Sequence, residues 1–168
     1  MALALRICLL ALCLLAAPGA AVAGTSHGRA LQGVANPAPL LPAPKPHRKQ
    51  RALGERAVRI AAAELGVPYR YGGSSPSGFD CSGLVAYVYA KLGIELPHNA
   101  AAQYAYGRPV DRGHLRPGDL VFFHGLGHVG LYIGRGRMIH APRTGERVSI
   151  QSLASRSGSV EGARRLAR

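Results

Sequence analysis

The chain has 168 residues and a formal net charge of +13. This length accommodates one domain with additional segments, and the excess of arginine and lysine favours an anionic partner. We expect no nucleic-acid partner, because the chain has no nucleic-acid motif, no tryptophan and no arginine cluster interleaved with aromatic residues.

Residues 1–23 have the features of a secretory signal peptide. Arg6 supplies the positive charge, and the apolar run from Ile7 to Ala17 is too short to span a bilayer comfortably. The motif Ala-Val-Ala that ends at Ala23 has the small residues of a cleavage site. We therefore expect export with cleavage near Ala23, and an uncleaved membrane anchor is the alternative.

Residues 24–52 are predicted to form a basic, proline-rich linker. Its five prolines lie between Pro37 and Pro46, where they disfavour helix and sheet, and the segment has no acidic residue. A segment of this composition buries too little apolar surface to order itself, so we expect disorder. The linker either lies against an anionic envelope surface or acts as a solvated spacer.

Residues 53–168 are predicted to form a single folded domain, which is long enough for one compact core. A first helix is expected over residues 54–66, because apolar residues recur there at helical spacing. These residues are Val58, Ala61, Ala62 and Leu65.

A second helix is expected to follow a loop over residues 72–78. Asp80 is a good N-cap, so this helix should begin at Asp80 or Cys81, and Gly93 should end it. A short third helix is predicted over residues 98–106.

The sequence after Pro117 is typical of β-strands separated by glycine-rich turns. The predicted strands span residues 119–123, 129–133, 137–140, 147–150 and 160–166. Helices followed by strands predict an α+β fold.

Cys81 is the only cysteine left once the predicted signal peptide, which contains Cys8 and Cys13, is removed. Such an unpaired thiol is either a small buried apolar residue or a reactive group. At the start of the second helix, free N–H groups and the helix dipole should lower the pKa of Cys81 and favour the thiolate that nucleophilic attack requires. The same N–H groups can bind the oxyanion of a tetrahedral intermediate.

Two histidines flank a predicted β-hairpin, since His128 opens one strand and His140 closes the next. A three-residue loop at 134–136, with Gly136 in the left-handed conformation, places both side chains on one face as diagonal neighbours. A two-residue loop would place them on opposite faces. On one face, His128 can act as general base and acid for Cys81 while His140 orients its ring. The alternative is that both histidines are ordinary polar residues at strand ends.

A zinc site built from one cysteine and two histidines is a competing interpretation of the same residues. The sequence contains no CxxC pair, which is the commonest close ligand pair of such sites. We therefore expect neither a metal nor another cofactor.

Four stretches of the chain resemble the NlpC family of bacterial cell-wall cysteine peptidases, and they follow one another in the order found in that family. GVPYRYGGSSPSGFDCSGLV (66–85) resembles its nucleophile block, and GHVGLYIG (127–134) resembles its catalytic-histidine strand. GDLVFF (118–123) resembles its first core strand, and MIHAP (138–142) resembles the segment with the third catalytic residue. The resemblance covers nearly all of residues 53–168.

The resemblance implies a papain-like α+β core, in which N-terminal helices pack on a small antiparallel β-sheet. It also implies a catalytic triad of Cys81, His128 and His140. Tyr69 matches a tyrosine that lies beside the nucleophile in the family and contributes to the oxyanion hole. A half-buried core aromatic residue is the alternative interpretation of Tyr69.

Asp80 and Ser82 match positions that contact the free amine of a stem peptide in some members of the family. Both residues also suit the first turn of a helix, so their two roles overlap. The chain departs from the family after its Leu-Pro dipeptide, where His98 and Asn99 stand in place of the arginine that many members have.

The activity typical of the family is hydrolysis of peptide bonds in the stem or crosslink of peptidoglycan. For this chain the resemblance implies a peptidoglycan endopeptidase that works through a thioester intermediate, as a monomer, in the periplasm of a Gram-negative bacterium. The alternatives are an N-acetylmuramoyl-L-alanine amidase and a catalytically inactive cell-wall-binding protein.

Overall fold

The structure is a computed structural model that describes residues 46–167, without the side chains of Pro46 and of residues 156–158. The predicted signal peptide and residues 24–45 of the predicted linker lie outside the described residues. Within the described part of the chain, no helix is long and apolar enough to cross a membrane.

Helix α1 spans Pro46–Ala63, so the predicted linker extends too far and residues 46–52 are helical. Pro46 is tolerated because a proline at the first helical position gives up no intrahelical hydrogen bond. The basic residues that follow it are good helix formers once a helix has begun. The boundary prediction was therefore wrong because it weighed the prolines equally along the whole segment.

The buried face of α1 also differs from the predicted one: the buried residues are Leu53, Gly54, Ala57 and Ala61. Leu65, which the apolar pattern placed on that face, is 40% exposed. The reason is a close backbone contact, since a Cβ at Gly54 would lie 2.0 Å from the carbonyl oxygen of Pro117. Only the side of the helix with its smallest residues can approach another segment so closely.

Helix α2 spans Cys81–Ala90 and begins as predicted. Asp80 has the extended backbone of an N-cap, and its side chain accepts a hydrogen bond from the N–H of Gly83. Beyond the helix, Gly93 has the left-handed φ of 73° that ends many helices. The predicted apolar stripe is buried at Leu84, Val85, Val88 and Leu92.

Short elements surround α2 on both sides. Strands β1 (Ser74–Ser75) and β2 (Gly78–Phe79) pair with each other in the segment predicted as a loop. Helix α3 spans Ala100–Gln103, which is shorter than predicted. Its start is set by Asn99, whose side chain accepts a hydrogen bond from the N–H of Ala102.

The main sheet has six antiparallel strands in the order β3-β8-β4-β5-β6-β7. The strands are β3 (Arg108–Pro109), β4 (Leu120–Phe123), β5 (His128–Gly134), β6 (Arg137–His140), β7 (Ser149–Ser152) and β8 (Val160–Arg165). The predicted strand over residues 147–150 therefore lies two residues too early, and β3 was not predicted. Strands β4, β5, β6 and β8 agree with their predicted bounds to within one residue at each end.

The register of the β5–β6 hairpin places His128 and His140 on the same face of the sheet, as predicted. Leu131 pairs with Ile139, so the residue numbers of paired positions add up to 270. With this sum the two histidines are diagonal neighbours across the ladder.

The turn of this hairpin differs from the predicted three-residue loop. Gly134 pairs with Arg137, and the turn between them has two residues, Arg135 and Gly136, with left-handed φ of 53° and 65°. Positive φ at both positions is typical of a type I′ turn. A bulge between Tyr132 and Gly134 supplies the extra residue that restores the predicted register. The prediction was right about the register and wrong about the turn.

The main hydrophobic core lies between the helices and one face of the sheet, and α2 packs against β5. A smaller cluster on the other face consists of Val121, Phe123, Met138 and Ala163. A buried ion pair joins β8 to the start of β4: the Nε and Nη2 atoms of Arg165 each lie 2.7 Å from a carboxylate oxygen of Asp119. The packing of α2 against β5 brings Cys81, the first residue of α2, beside the backbone of Val129 in β5.

Candidate active site

Cys81 is the first residue of α2 and is partly buried there. The backbone N–H of Val129, the residue after His128, faces the sulfur and lowers the pKa of Cys81. The N–H groups of Ser82 and of Cys81 itself also act on the sulfur. The predicted nucleophile therefore lies at the start of the strand that carries the predicted base.

Burial raises the pKa of the Cys81 thiol, and the neighbouring Asp80 carboxylate raises this pKa further. Hydrogen bonds from the N–H groups of Val129, Ser82 and Cys81 lower the pKa but do not outweigh these effects. The predicted lowering of the pKa was therefore wrong. The carboxylate of Asp80 offsets the positive potential of the helix N-terminus, so a thiolate needs a charged imidazole beside it.

His128 and His140 are both buried and contact each other. Nε2 of His128 lies 2.9 Å from Nδ1 of His140, and the two ring planes are nearly perpendicular, at 84°. The contact uses Nε2 of His128 and Nδ1 of His140, so Nδ1 of His128 is the ring nitrogen that faces away from His140.

Gly130 lies between the two histidines on the same face of the hairpin, directly across from His140. A Cβ at this position would lie 3.5 Å from Cβ of His140 and 2.6 Å from Sδ of Met138. The missing side chain leaves room for the thioether of Met138 beside His140. The prediction overlooked Gly130, although the alternation of faces along a strand would have identified it.

Tyr69, the predicted oxyanion residue, lines the same cleft as Cys81. Burial raises the pKa of the Tyr69 phenol, and the charges of Cys81 and Asp80 raise it further. The hydroxyl therefore keeps its proton at neutral pH, which is the form that can donate a hydrogen bond to an oxyanion.

The carboxylate of Asp80 binds several donors of the protein itself. Its Oδ1 accepts hydrogen bonds from the N–H of Gly83 at 2.7 Å and the hydroxyl of Ser82 at 3.1 Å. The same oxygen lies 2.8 Å from Nε2 of His98, and Oδ2 accepts a hydrogen bond from the N–H of Gly72 at 2.9 Å. Asp80 and Ser82 flank the nucleophile in the sequence, and the Ser82 hydroxyl is directed at Asp80.

An open cleft of about 330 Å³ is lined by four of the predicted site residues, Tyr69, Asp80, Cys81 and Ser82. Seven further residues that were not predicted to form the site also line it: Tyr71, Gly72, His98, Asn99, Ala100, Leu126 and Gly127. Tyr71 is 89% exposed. Leu126 has a left-handed φ of 68° in the loop before His128. His98 was marked in the sequence only as a departure from the arginine of the family, and this departure was the available signal.

His124 and His128 are four residues apart, a spacing that can serve a metal on a helix, but here His124 precedes a strand. Among residues 46–167, no group of three or more histidine, cysteine, aspartate or glutamate side chains is arranged to hold a metal ion. The zinc interpretation therefore has no ligand set within the described residues.

Comparison with known proteins relates this geometry to one family. The NlpC/P60 family matches residues 66–160, which is more than half of the chain. The murein DD-endopeptidase MepH of Escherichia coli is 44% identical over 117 residues, covering 62% of this chain and 43% of that protein. A γ-DL-glutamyl hydrolase of Bacillus subtilis is 48% identical over 104 residues, covering 58% of this chain and 25% of that protein.

Solved structures show the same relationship. The peptidoglycan hydrolase RipB of Mycobacterium tuberculosis matches with a TM-score of 0.65 and 33% identity, covering 73% of this chain and 69% of that one. This match confirms the predicted papain-like α+β fold. The chain spans less than half the length of the two curated relatives.

Proposed function

The chain belongs to the NlpC/P60 family, and on that premise we propose that it is a cysteine-type peptidoglycan endopeptidase. The proposed substrates are peptide bonds of the stem or crosslink, since its relatives include a murein DD-endopeptidase and a peptidoglycan hydrolase. The observation that carries the proposal is the arrangement of Cys81, His128 and His140. The backbone N–H of the residue after His128 faces the sulfur, and the two imidazoles lie 2.9 Å apart.

In the proposed reaction, Cys81 transfers its thiol proton to Nδ1 of His128 and attacks the carbonyl carbon of the scissile bond. Because burial and Asp80 oppose an isolated thiolate, the imidazolium formed on His128 has to stabilise it. The oxyanion of the tetrahedral intermediate accepts hydrogen bonds from N–H groups at the start of α2 and from Tyr69. His140 holds the ring of His128 in the tautomer that this transfer requires.

The remaining steps return the site to its starting state. His128 donates its proton to the leaving amine as the C–N bond breaks, and the acyl group stays on Cys81 as a thioester. A water molecule then gives a proton to His128, and its oxygen attacks the thioester carbon. The C–S bond breaks, the carboxylic acid leaves, and the proton returns to the sulfur.

Cys81→Ala tests the proposal directly. Purified peptidoglycan is digested with each variant, and the released fragments are identified by mass spectrometry. We expect no release by Cys81→Ala and a thermal melt nearly equal to that of the wild type. Ser75→Ala is the matched control, because the Ser75 hydroxyl is exposed and contacts only Ser77 among its recorded partners, so this variant should stay active.

Two results would contradict the proposal. Digestion by Cys81→Ala at the wild-type rate would show that Cys81 is not the nucleophile. Release of intact stem peptides that begin with L-alanine would identify an amidase instead of an endopeptidase.

We also propose that the protein is exported to the periplasm and that residues 1–23 are removed. The support for this is the charge and apolar pattern of that segment. Sequencing of the N-terminus of periplasmic protein should begin near residue 24. A chain that keeps Met1 and fractionates with the membrane would contradict export with cleavage.

The basic segment before α1 is proposed to hold the protein against an anionic envelope polymer, and the protein itself is proposed to be a monomer. Deletion of residues 24–45 should reduce retention on an anionic polymer matrix at low salt without changing peptide hydrolysis. Equal retention would favour a solvated spacer. Analytical ultracentrifugation of the mature chain tests the monomer.

A further inference from the structure

Gln103 is the last residue of α3, and its side chain is completely buried. Its amide nitrogen Nε2 donates to two backbone carbonyl oxygens, lying 2.9 Å from that of Ser82 and 2.8 Å from that of Pro97. Since carbonyl oxygens only accept, the nitrogen and not the oxygen of the amide must face them. The amide oxygen Oε1 is buried and finds no donor among the described residues. The recorded hydrogen bonds of this side chain therefore go to the backbone of two other segments.

The first of these carbonyl groups belongs to the peptide unit between Ser82 and Gly83, in the first turn of α2. The N–H at the other end of this unit, that of Gly83, donates to Oδ1 of Asp80 at 2.7 Å. A peptide unit is planar and nearly rigid, so hydrogen bonds at both of its ends fix its orientation. The side chains of Asp80 and Gln103, which both lie outside the helical segment, thus hold the turn that begins with Cys81.

The second carbonyl group belongs to Pro97, in the segment before α3. The next residue in the chain is His98, whose Nε2 lies 2.8 Å from Oδ1 of Asp80. Asp80 and Gln103 therefore each contact both the first turn of α2 and the segment before α3. Such a closed network of hydrogen bonds restrains the two segments more strongly than either connection alone.

The orientation of this turn matters for the proposed reaction. The N–H groups of Cys81 and Ser82 lower the pKa of the thiol, and N–H groups at the start of α2 are the proposed donors to the oxyanion. Such donors lower the barrier only when they point at the position where charge develops, and a misplacement of about 1 Å can reduce the rate about 100-fold. Gln103 does not line the described cleft, so its influence on the chemistry has to pass through the carbonyl group of Ser82.

We propose that Gln103 is a positioning residue, which holds the first turn of α2 in the orientation that Cys81 and the oxyanion donors require. The proposal rests on the proposed peptidase function, because the oxyanion forms only in that reaction.

A residue that served only the stability of the fold would respond differently to replacement. Without the amide of Gln103, the Ser82 carbonyl keeps the hydrogen bond that helical geometry gives it, and Pro97 is partly exposed, so water can reach its carbonyl. Removal of the amide also removes Oε1, a buried acceptor without a donor among the described residues, and such an acceptor costs stability. The gains and losses in stability nearly cancel, whereas the orientation of the turn is lost.

The test compares three variants in the hydrolysis of a synthetic stem peptide. Gln103→Met keeps the length and approximate volume of the side chain and removes the donor. Gln103→Glu keeps the shape, and its carboxyl group can donate one hydrogen bond only while it is protonated. Gln50→Met is the matched control, because Gln50 is partly buried in α1 and does not line the described cleft.

For Gln103→Met, kcat should fall about 10- to 100-fold, KM should stay within about threefold of the wild-type value, and the thermal midpoint should stay within about 5 °C. Gln50→Met should match the wild type in kcat. For Gln103→Glu, the ratio of its kcat to the wild-type kcat should rise as the pH falls, since the buried carboxyl group becomes a donor on protonation. A folded Gln103→Met with wild-type kcat would overturn the proposal, and so would a Gln103→Glu ratio that is independent of pH.

Amide hydrogen exchange without substrate separates this inference from the proposed function. In Gln103→Met, the Gly83 N–H should exchange about tenfold faster than in the wild type, and the Leu131 N–H in β5 should be unchanged as an internal reference. Wild-type inactivity on the peptide together with faster exchange at Gly83 would refute the proposed function and support the role of Gln103 in the turn. Equal cleavage by the wild type and Gln103→Met, with unchanged exchange at Gly83, would support the function and refute the inference.

Discussion

Replacement of His140 measures how much this second histidine contributes to kcat/KM in addition to the nucleophile and the base. His140 is 1% exposed, and its Nδ1 lies 2.9 Å from Nε2 of His128. His140→Leu keeps an apolar side chain in the space but removes the acceptor, which leaves a buried N–H of His128 without this partner. An unmet buried hydrogen bond costs about 1–3 kcal/mol. Since about 1.4 kcal/mol corresponds to a tenfold change in rate, kcat/KM should fall about 5- to 150-fold.

His140→Asn is the matched control, because its side-chain oxygen can take nearly the position of Nδ1 and accept the same hydrogen bond. This variant should keep most of the activity. The assay is steady-state hydrolysis of a stem peptide over a range of concentrations, with a thermal melt to show that each variant is folded. The loss in His140→Leu should appear in kcat, because His140 does not line the described cleft. Wild-type kcat in His140→Leu, or equal losses in both variants, would refute the orienting role.

Three further predictions concern the thiol, the buried ion pair and the hairpin glycine. In His128→Ala, alkylation of Cys81 by iodoacetamide should be slow at neutral pH and should accelerate only above the ordinary cysteine pKa. The reason is that burial raises the pKa of Cys81 and that no imidazolium remains to stabilise the thiolate. A rate profile with its midpoint below the ordinary value would contradict this. Asp119→Ala should lower the free energy of unfolding in urea by about 3–5 kcal/mol, since Arg165 is left buried and unpaired; a loss below about 1 kcal/mol would be that of a surface pair. Gly130→Val should reduce kcat, because its side chain would collide with Sδ of Met138 and press against His140, and a folded variant with wild-type kcat would show that the close packing beside His140 is not needed.

The start of α2 and the shared face of the two histidines were predictable because each follows a local rule. An aspartate before an apolar stripe predicts an N-cap, and the alternation of side chains along paired strands determines which residues share a face. The turn was mispredicted because a three-residue loop and a two-residue turn with a bulge give the same register. Only the register affects whether His128 and His140 meet.

The beginning and the buried face of α1 depended on information that composition does not contain. Composition counts Pro46 as a helix breaker, whereas the first position of a helix accepts proline. The buried face follows from the contact between Gly54 and Pro117, which are distant in the sequence. Apolar periodicity alone placed Leu65 on the wrong side of that contact.

The electrostatics of the site depended on tertiary neighbours as well. The sequence indicated one contribution to the pKa of Cys81, the helix dipole. Burial and the Asp80 carboxylate act on this pKa in the other direction, and both became evident only in the fold. The partner of His98 could not be predicted either, because Asp80 is 18 residues earlier and the two meet through the packing of α2 against the segment before α3.

The described part of the fold contains a single thiol, so a count of thiols can report whether a chain has been processed. A precursor that keeps residues 1–23 carries three cysteines, whereas a chain cleaved near Ala23 carries one. Titration of thiols in denaturant therefore reports how many chains have been processed. A reagent that reacts with the folded mature protein labels Cys81 alone, so the ratio of label to chain gives the fraction of accessible sites without any substrate.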